Sequence, residues 1–166
     1  MTTAAMQPTV VGLGEIAVSS NADETLVSLG LGSCVCVAAY DRVAKIAGMA
    51  HIVLPDSGGQ ESRQTPKFAD VALPMLFKQM EDAGARKENT VIKLAGGAQM
   101  MPVKSPNAHQ MNIGERNIEA VKALLKESGR RIRAEDLGGT QGRTVRLSVA
   151  TGNTTVARAG KDQQDL

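Results

Sequence analysis

The sequence predicts a single α+β domain. Three observations point there: short apolar runs with strand-like alternation, two longer stretches with apolar residues on a helical spacing, and no internal repeat or low-complexity linker. At 166 residues the chain is long enough for one well-buried core and short for two. With one Tyr, two Phe and no Trp, that core must be built from Val, Leu, Ile, Met and Ala.

Residues 10–19 read as a strand or strand pair, because Ile16 and Val18 alternate with other residues after Gly12 and Gly14. Residues 34–40 and 46–54 read as paired strands joined through the turn-like Asp41-Arg42. Residues 67–83 carry Phe68, Ala72, Leu76 and Met80 on one helical face, with Gly84 as a stop. Pro74 must kink this helix unless its regular part begins near Leu73. Residues 91–95 form a short strand leading into Gly96-Gly97-Ala98, and residues 115–128 a second amphipathic helix with Ile118, Val121 and Leu125 on one face, ended by Gly129. Residues 131–136, 144–149 and 154–157 read as strands, the last after the turn Thr151-Gly152-Asn153. The polar ends, residues 1–8 and 161–166, are expected to fray.

Composition excludes several classes. A net charge of +2 with scattered basic residues, clustered only at Arg130, Arg131 and Arg133, is too weak a footprint for nucleic acid, and the scarcity of aromatic residues removes a stacking platform. The longest charge-free stretch, residues 25–40, falls short of the roughly 20 residues a membrane span requires. The opening residues lack the basic start and continuous apolar segment of a secretory signal. Cys34 and Cys36 would form a strained bridge from adjacent same-face positions on one strand, so reduced thiols and a cytoplasmic setting are expected.

Cys34 is the candidate nucleophile. It closes the run Leu29-Gly30-Leu31-Gly32-Ser33 and opens an apolar strand, so glycines can bring backbone N–H groups close to a substrate while the strand holds the sulfur. Thiol chemistry needs a base, and the predicted hairpin sets His51 opposite Cys34 at the end away from the turn. Taken singly, each has a bland competitor: a buried strand cysteine and a satisfied core histidine. Cys36, flanked by Val35 and Val37, reads as core. A zinc site from Cys34, Cys36, His51 and His109 fails on spacing, because structural zinc takes its cysteines from a tight knuckle. Gly30-x-Gly32 lacks the third glycine, the lysine and the helix of a phosphate cradle.

The run Leu29 to Val35, then Tyr40-Asp41 with Ala44-Lys45, Gly48-Met49-Ala50-His51 and Leu54-Pro55, resembles the chemoreceptor glutamine deamidase family, CheD. Gly96-Gly97-Ala98, Asn112-Ile113-Gly114 with Arg116-Asn117, Asp136 with Gly138-Gly139, and Gly142-Arg143 follow in the family's order, so the match runs over nearly the whole chain. The resemblance implies a layered sandwich of mixed β-sheet with flanking helices, similar to the cytotoxic necrotizing factor catalytic domain. It implies a protein-glutamine deamidase acting on cytoplasmic helices of methyl-accepting chemoreceptors, with a CheC-type phosphatase as a further partner and no cofactor or metal. The family's Cys–His pair falls on Cys34 and His51, and Ser28 stands where the family commonly has a Thr that orients the histidine. Backbone N–H groups of Gly32, Ser33 and Cys34 are the expected oxyanion donors. The polar loop 56–65 could form one wall of the site, and a solvated connection is an equal reading. Two other classes stay open: a non-catalytic adaptor binding receptor or phosphatase, and a thiol hydrolase of other specificity such as a small-molecule amidase.

Overall fold

The computed structural model describes residues 8–100 and 112–166. Among these the chain forms β1 (Thr9–Val10), β2 (Ile16–Ser19), β3 (Thr25–Leu31), β4 (Val35–Asp41), β5 (Ile46–Ile52), α1 (Ala69–Asp82), β6 (Thr90–Gly96), α2 (Ile113–Glu127), β7 (Ile132–Leu137), β8 (Arg143–Ser148), β9 (Thr154–Ala157) and β10 (Gln164–Asp165). The strands build two five-stranded sheets, ordered β1-β3-β8-β9-β10 and β2-β5-β4-β6-β7. Each is mixed, with parallel pairing at β1–β3 and β6–β7 and antiparallel pairing elsewhere.

β4 lies at the centre of the second sheet and is buried along its whole length. Because successive side chains point to opposite faces, it feeds two cores. Val35, Val37 and Ala39 pack with Ala72, Leu76, Met80, Val121 and Leu125 of the helices. Cys36, Ala38 and Tyr40 pack with Leu26, Val145, Leu147 and Val156 of the other sheet. The result is three layers, sheet on sheet on helices, with both helices on one face of one sheet. The expected sheet packed between helices is therefore corrected: the face opposite the helices is covered by a second sheet, because β4 and β5 present apolar residues on both sides.

The expected strands and both helices form within a few residues of the predicted bounds. Residues 10–19 contain two strands, and they join different sheets. α1 begins at Ala69 and carries Pro74 inside it, on the exposed side, so the proline costs the Asp70 carbonyl its helical donor but meets no packed neighbour in the core. Asp70 has another task. Its carboxylate accepts from the Ser57 N–H at 2.9 Å and hydroxyl at 2.5 Å, tying the loop 56–65 to the first turn of α1.

Two strands escaped sequence reading. β3 was hidden by its own glycine, for a register shift between Ser28 and Leu31 accommodates Gly30 at φ 58°, and a bulged strand reads as a turn. β10 lies in the tail expected to fray: Gln164 and Asp165 pair with Val156 and Thr155, and the Leu166 side chain packs against the inter-sheet core. The expectation for residues 1–7 falls outside the described residues.

Asp41 pins the β4–β5 turn. Its fully buried carboxylate accepts from the N–H groups of Val43 and Ala44, each at 2.8 Å, and of Arg86 at 2.7 Å. Burial acts to raise its pKa, but these three donors and the Arg86 charge outweigh it and hold the carboxyl below 3.8. Asp41→Ala is expected to cost about 2–4 kcal/mol in urea unfolding, since three backbone donors lose a charged acceptor. A depressed folded-state pKa means that the contribution is complete above the unfolded value and is lost as pH falls through the lower folded value. The wild-type advantage over Asp41→Ala should therefore shrink only on acidification below 3.8.

Candidate active site

The chain passes from the first sheet to the second at residues 32–34, between β3 and β4, and again at residues 11–15, between β1 and β2. Cys34 lies on the first link. All three carbonyls of this link are held: Gly32 O accepts from the Ala98 N–H at 2.8 Å, Ser33 O from Asn117 Nδ2 at 3.0 Å and Cys34 O from the Gly97 N–H at 2.8 Å. Among the described residues none of the N–H groups of Gly32, Ser33 and Cys34 donates to another residue. The Cys34 N–H faces its own sulfur. Three consecutive tied carbonyls with free N–H groups beside a thiol are what a developing oxyanion requires.

His51 lies on β5, with Glu15 O accepting its N–H at 3.1 Å and its carbonyl accepting the Gly14 N–H at 2.9 Å. Both backbone groups thus serve the β2 side, which makes its cross-strand pair on β4 a non-hydrogen-bonded one with closely set side chains. That partner is Cys36. The expected register, with Cys34 opposite His51, is off by one strand period: Cys34 is the diagonal neighbour on the same face, still within reach of a long side chain. The register is set at the turn, where Asp41 pairs with Ile46, and it runs unbroken from there to Val35 and Ile52.

The ring is oriented by the second link. His51 Nδ1 lies 3.0 Å from Val11 O. A carbonyl only accepts, so this contact assigns the proton to Nδ1 and leaves Nε2 as an acceptor. Nε2 is buried and has no partner among the described residues. Ser28, expected to orient the ring, makes no hydrogen bond to it. Its buried hydroxyl lies 3.4 Å from Val11 O and 3.2 Å from Met49 Sδ, so it meets the carbonyl that holds the ring and not the ring itself.

The two thiols are not equivalent. Cys34 keeps 9% of its surface exposed, whereas Cys36 keeps 1%. Burial pushes the Cys36 thiol up to about 12 despite the Ser28 hydroxyl beside it, and it raises Cys34 against the opposing influence of its own N–H. Burial also lowers the His51 pKa, although the Val11 carbonyl and Glu15 oppose this. Both shifts favour the neutral form, thiol on Cys34 and imidazole on His51. Among the described residues no three His, Cys, Asp or Glu side chains cluster as a metal site, and His109 lies outside those residues.

Sequence reading missed three supports: the Val11 carbonyl, the Gly96-Gly97 turn and Asn117. The last two lie in motifs that carry the family resemblance, without a role assigned to them there, and Asn117 is also a polar residue on the face of α2 that buries Val121 and Leu125.

The family model described as CheD chemotactic sensory transduction matches residues 53–158. A probable chemoreceptor glutamine deamidase CheD from Symbiobacterium thermophilum is 44% identical over 158 residues, covering 94% of this chain and 95% of that protein. This chain belongs to the CheD family. The chemoreceptor glutamine deamidase CheD of Thermotoga maritima is 44% identical over 155 residues, covering 93% and 94% of the two chains, and that of Halalkalibacterium halodurans 43% over 144 residues, covering 86% and 88%. The family-model match begins after Cys34 and His51, whereas the alignments to these CheD relatives extend over most of the chain. Among solved structures, the hypothetical protein YfiH of Bacillus licheniformis is similar at 16% identity and a TM-score of 0.46, over 73% of this chain and 49% of that one. No helix among the described residues is long and apolar enough to cross a membrane.

Gly96 takes φ 115°, and a Cβ there would overlap the Cys34 carbonyl oxygen. Gly96→Ala is expected to lower the melting temperature by several degrees and to remove activity from the molecules that still fold, as read by calorimetry alongside turnover.

Proposed function

We propose that this protein hydrolyses the side-chain amide of selected glutamines on methyl-accepting chemoreceptors, releasing ammonia and leaving glutamate. The observation that carries the reading is one constellation: a thiol on a residue that keeps 9% of its surface exposed, three N–H groups beside it without a partner among the described residues, and a histidine on the same sheet face whose Nδ1 is held and whose Nε2 has no partner among the described residues. The names of the relatives supply the substrate.

His51 Nε2 takes the proton from Cys34 Sγ as the sulfur attacks the carboxamide carbon. A neutral pair makes this transfer part of the attack, since neither group is charged beforehand. The carbonyl oxygen becomes an oxyanion, received by the N–H groups of Cys34 and Ser33, with Gly32 shaping the approach. His51 then gives the proton to the leaving nitrogen, the C–N bond breaks, ammonia departs and a thioester remains. Water deprotonated by the same imidazole attacks the thioester, and the thiol is regenerated with the glutamate.

Ser28 acts at one remove, by packing against the Val11 carbonyl that orients His51. The Thr-to-Ser difference does not touch the ring, and the non-catalytic adaptor reading is tested by the assay below. A cytoplasmic setting and a CheC-type phosphatase partner belong to the same reading. So does kinship with the cytotoxic necrotizing factor catalytic domain.

The deciding assay follows the +1 Da conversion of glutamines on a receptor cytoplasmic fragment by mass spectrometry. Cys34→Ala should be inactive, and His51→Ala should lose about 10²–10⁴-fold. Cys36→Ala should retain turnover and Ser28→Ala should lose only severalfold. Deamidation by Cys34→Ala would overturn the nucleophile, and an inert wild type that binds receptor or phosphatase would favour the adaptor.

The pH profile tests the resting state. With His51 depressed below 6.5 and the Cys34 thiol raised above 9.0, kcat/KM should be flat through neutrality and fall on an acid limb below 6.5. An alkaline limb below 9.0, from loss of an imidazolium proton, would indicate a thiolate–imidazolium pair instead.

A further inference from the structure

Asn117 is completely buried on the inner face of α2, beside Val121 and Leu125. An amide there carries a desolvation cost that leucine would not. Its Nδ2 donates to Ser33 O at 3.0 Å and to Val53 O at 2.9 Å, using both of its hydrogens. The choice of atom is forced, because an amide oxygen facing two carbonyls would be repelled by both. Oδ1 is buried without a partner among the described residues.

Those two carbonyls belong to the residue before Cys34 and to a residue just beyond His51. One side chain therefore ties the link carrying the nucleophile to the strand carrying the base. The tie has a second effect through the peptide plane. The described residues contain no cis peptide, so the Ser33 carbonyl and the Cys34 N–H point in opposite directions from one rigid unit. Turning Ser33 O toward α2 turns the Cys34 N–H away from it, onto the side where the sulfur lies.

We propose that Asn117 is a positioning residue that aims the Cys34 N–H at the oxyanion formed on the substrate amide. Ala98 does the same for the Ser33 N–H through Gly32 O, but with its own backbone N–H, which only proline would remove, at the cost of fixing the backbone there. Asn117 is thus the point at which the oxyanion site can be loosened without touching any reacting group. The inference rests on Cys34 being the nucleophile.

The test uses the full chain, with a receptor cytoplasmic fragment as substrate and iodoacetamide as a separate probe of Cys34. Alkylation is a displacement that builds no oxyanion, so it reports the thiol and base without the donor. Asn117→Ala should lower kcat about 10–100-fold, less than the roughly 10²–10³ lost when an oxyanion donor is deleted outright. KM and the alkylation rate of Cys34 should stay within about threefold of wild type, since the donor acts only in the transition state. Asn117→Ser, able to donate to one carbonyl, should fall between.

A folded Asn117→Ala with kcat within about threefold of wild type overturns the proposal. So does a parallel loss of kcat and alkylation, which would mean that the whole link had collapsed. Should Asn117→Ala fail to fold, Asn117→Ser decides by the same measures, and failure of both to fold makes the amide a support of the fold alone. Retained deamidation by Cys34→Ala would instead strike the nucleophile assignment, whatever the Asn117 variants do.

Discussion

The burial of β4 on both faces is the constraint on which the rest depends. A strand covered on one side by helices and on the other by a second sheet cannot slide by one residue, because every side chain would exchange cores. Its register with β5 and β6 is therefore fixed along its full length, and the link just before it inherits that rigidity. Cys34 stands at this boundary, next to the last ladder pair and with 9% of its surface exposed.

The site lies where the chain crosses between the sheets. Each crossing leaves the ladders, so its peptide groups need other partners, and those partners determine the chemistry. Between β1 and β2 Val11 gives its carbonyl to the imidazole, while its N–H is held by Val27 O at 2.7 Å. Between β3 and β4 the carbonyls of Gly32, Ser33 and Cys34 go to Ala98, Asn117 and Gly97, and their N–H groups have no partner among the described residues. A strand in either location would have used these groups in pairing and left no donor for a substrate.

Burial also acts on the charge states of these groups. It disfavours a thiolate on Cys34 and an imidazolium on His51. Cys36 is the sharper case, directly across from His51 yet sealed in the inter-sheet core. Proximity to the base favours it and access to solvent forbids it, and access decides, because a sulfur that no substrate can touch has no nucleophilic role.

Much was legible in the sequence: the α+β class, seven of the strand segments by their alternation, both helices by their apolar spacing, and Cys34, His51 and the glycine link by residue type and order. These are local properties, or an ordered series of short motifs, and they survive without knowledge of the fold. What only the tertiary structure decided is which partner each group meets. A strand's two faces look alike in an apolar run, so the second sheet was invisible, as was β3 behind its bulge. A one-period slip placed Cys36, not Cys34, opposite His51, and the ring found a backbone carbonyl that any residue at Val11 would supply, where a side-chain hydroxyl at Ser28 had been expected. Backbone groups carry no sequence signature, and much of this site is held by them.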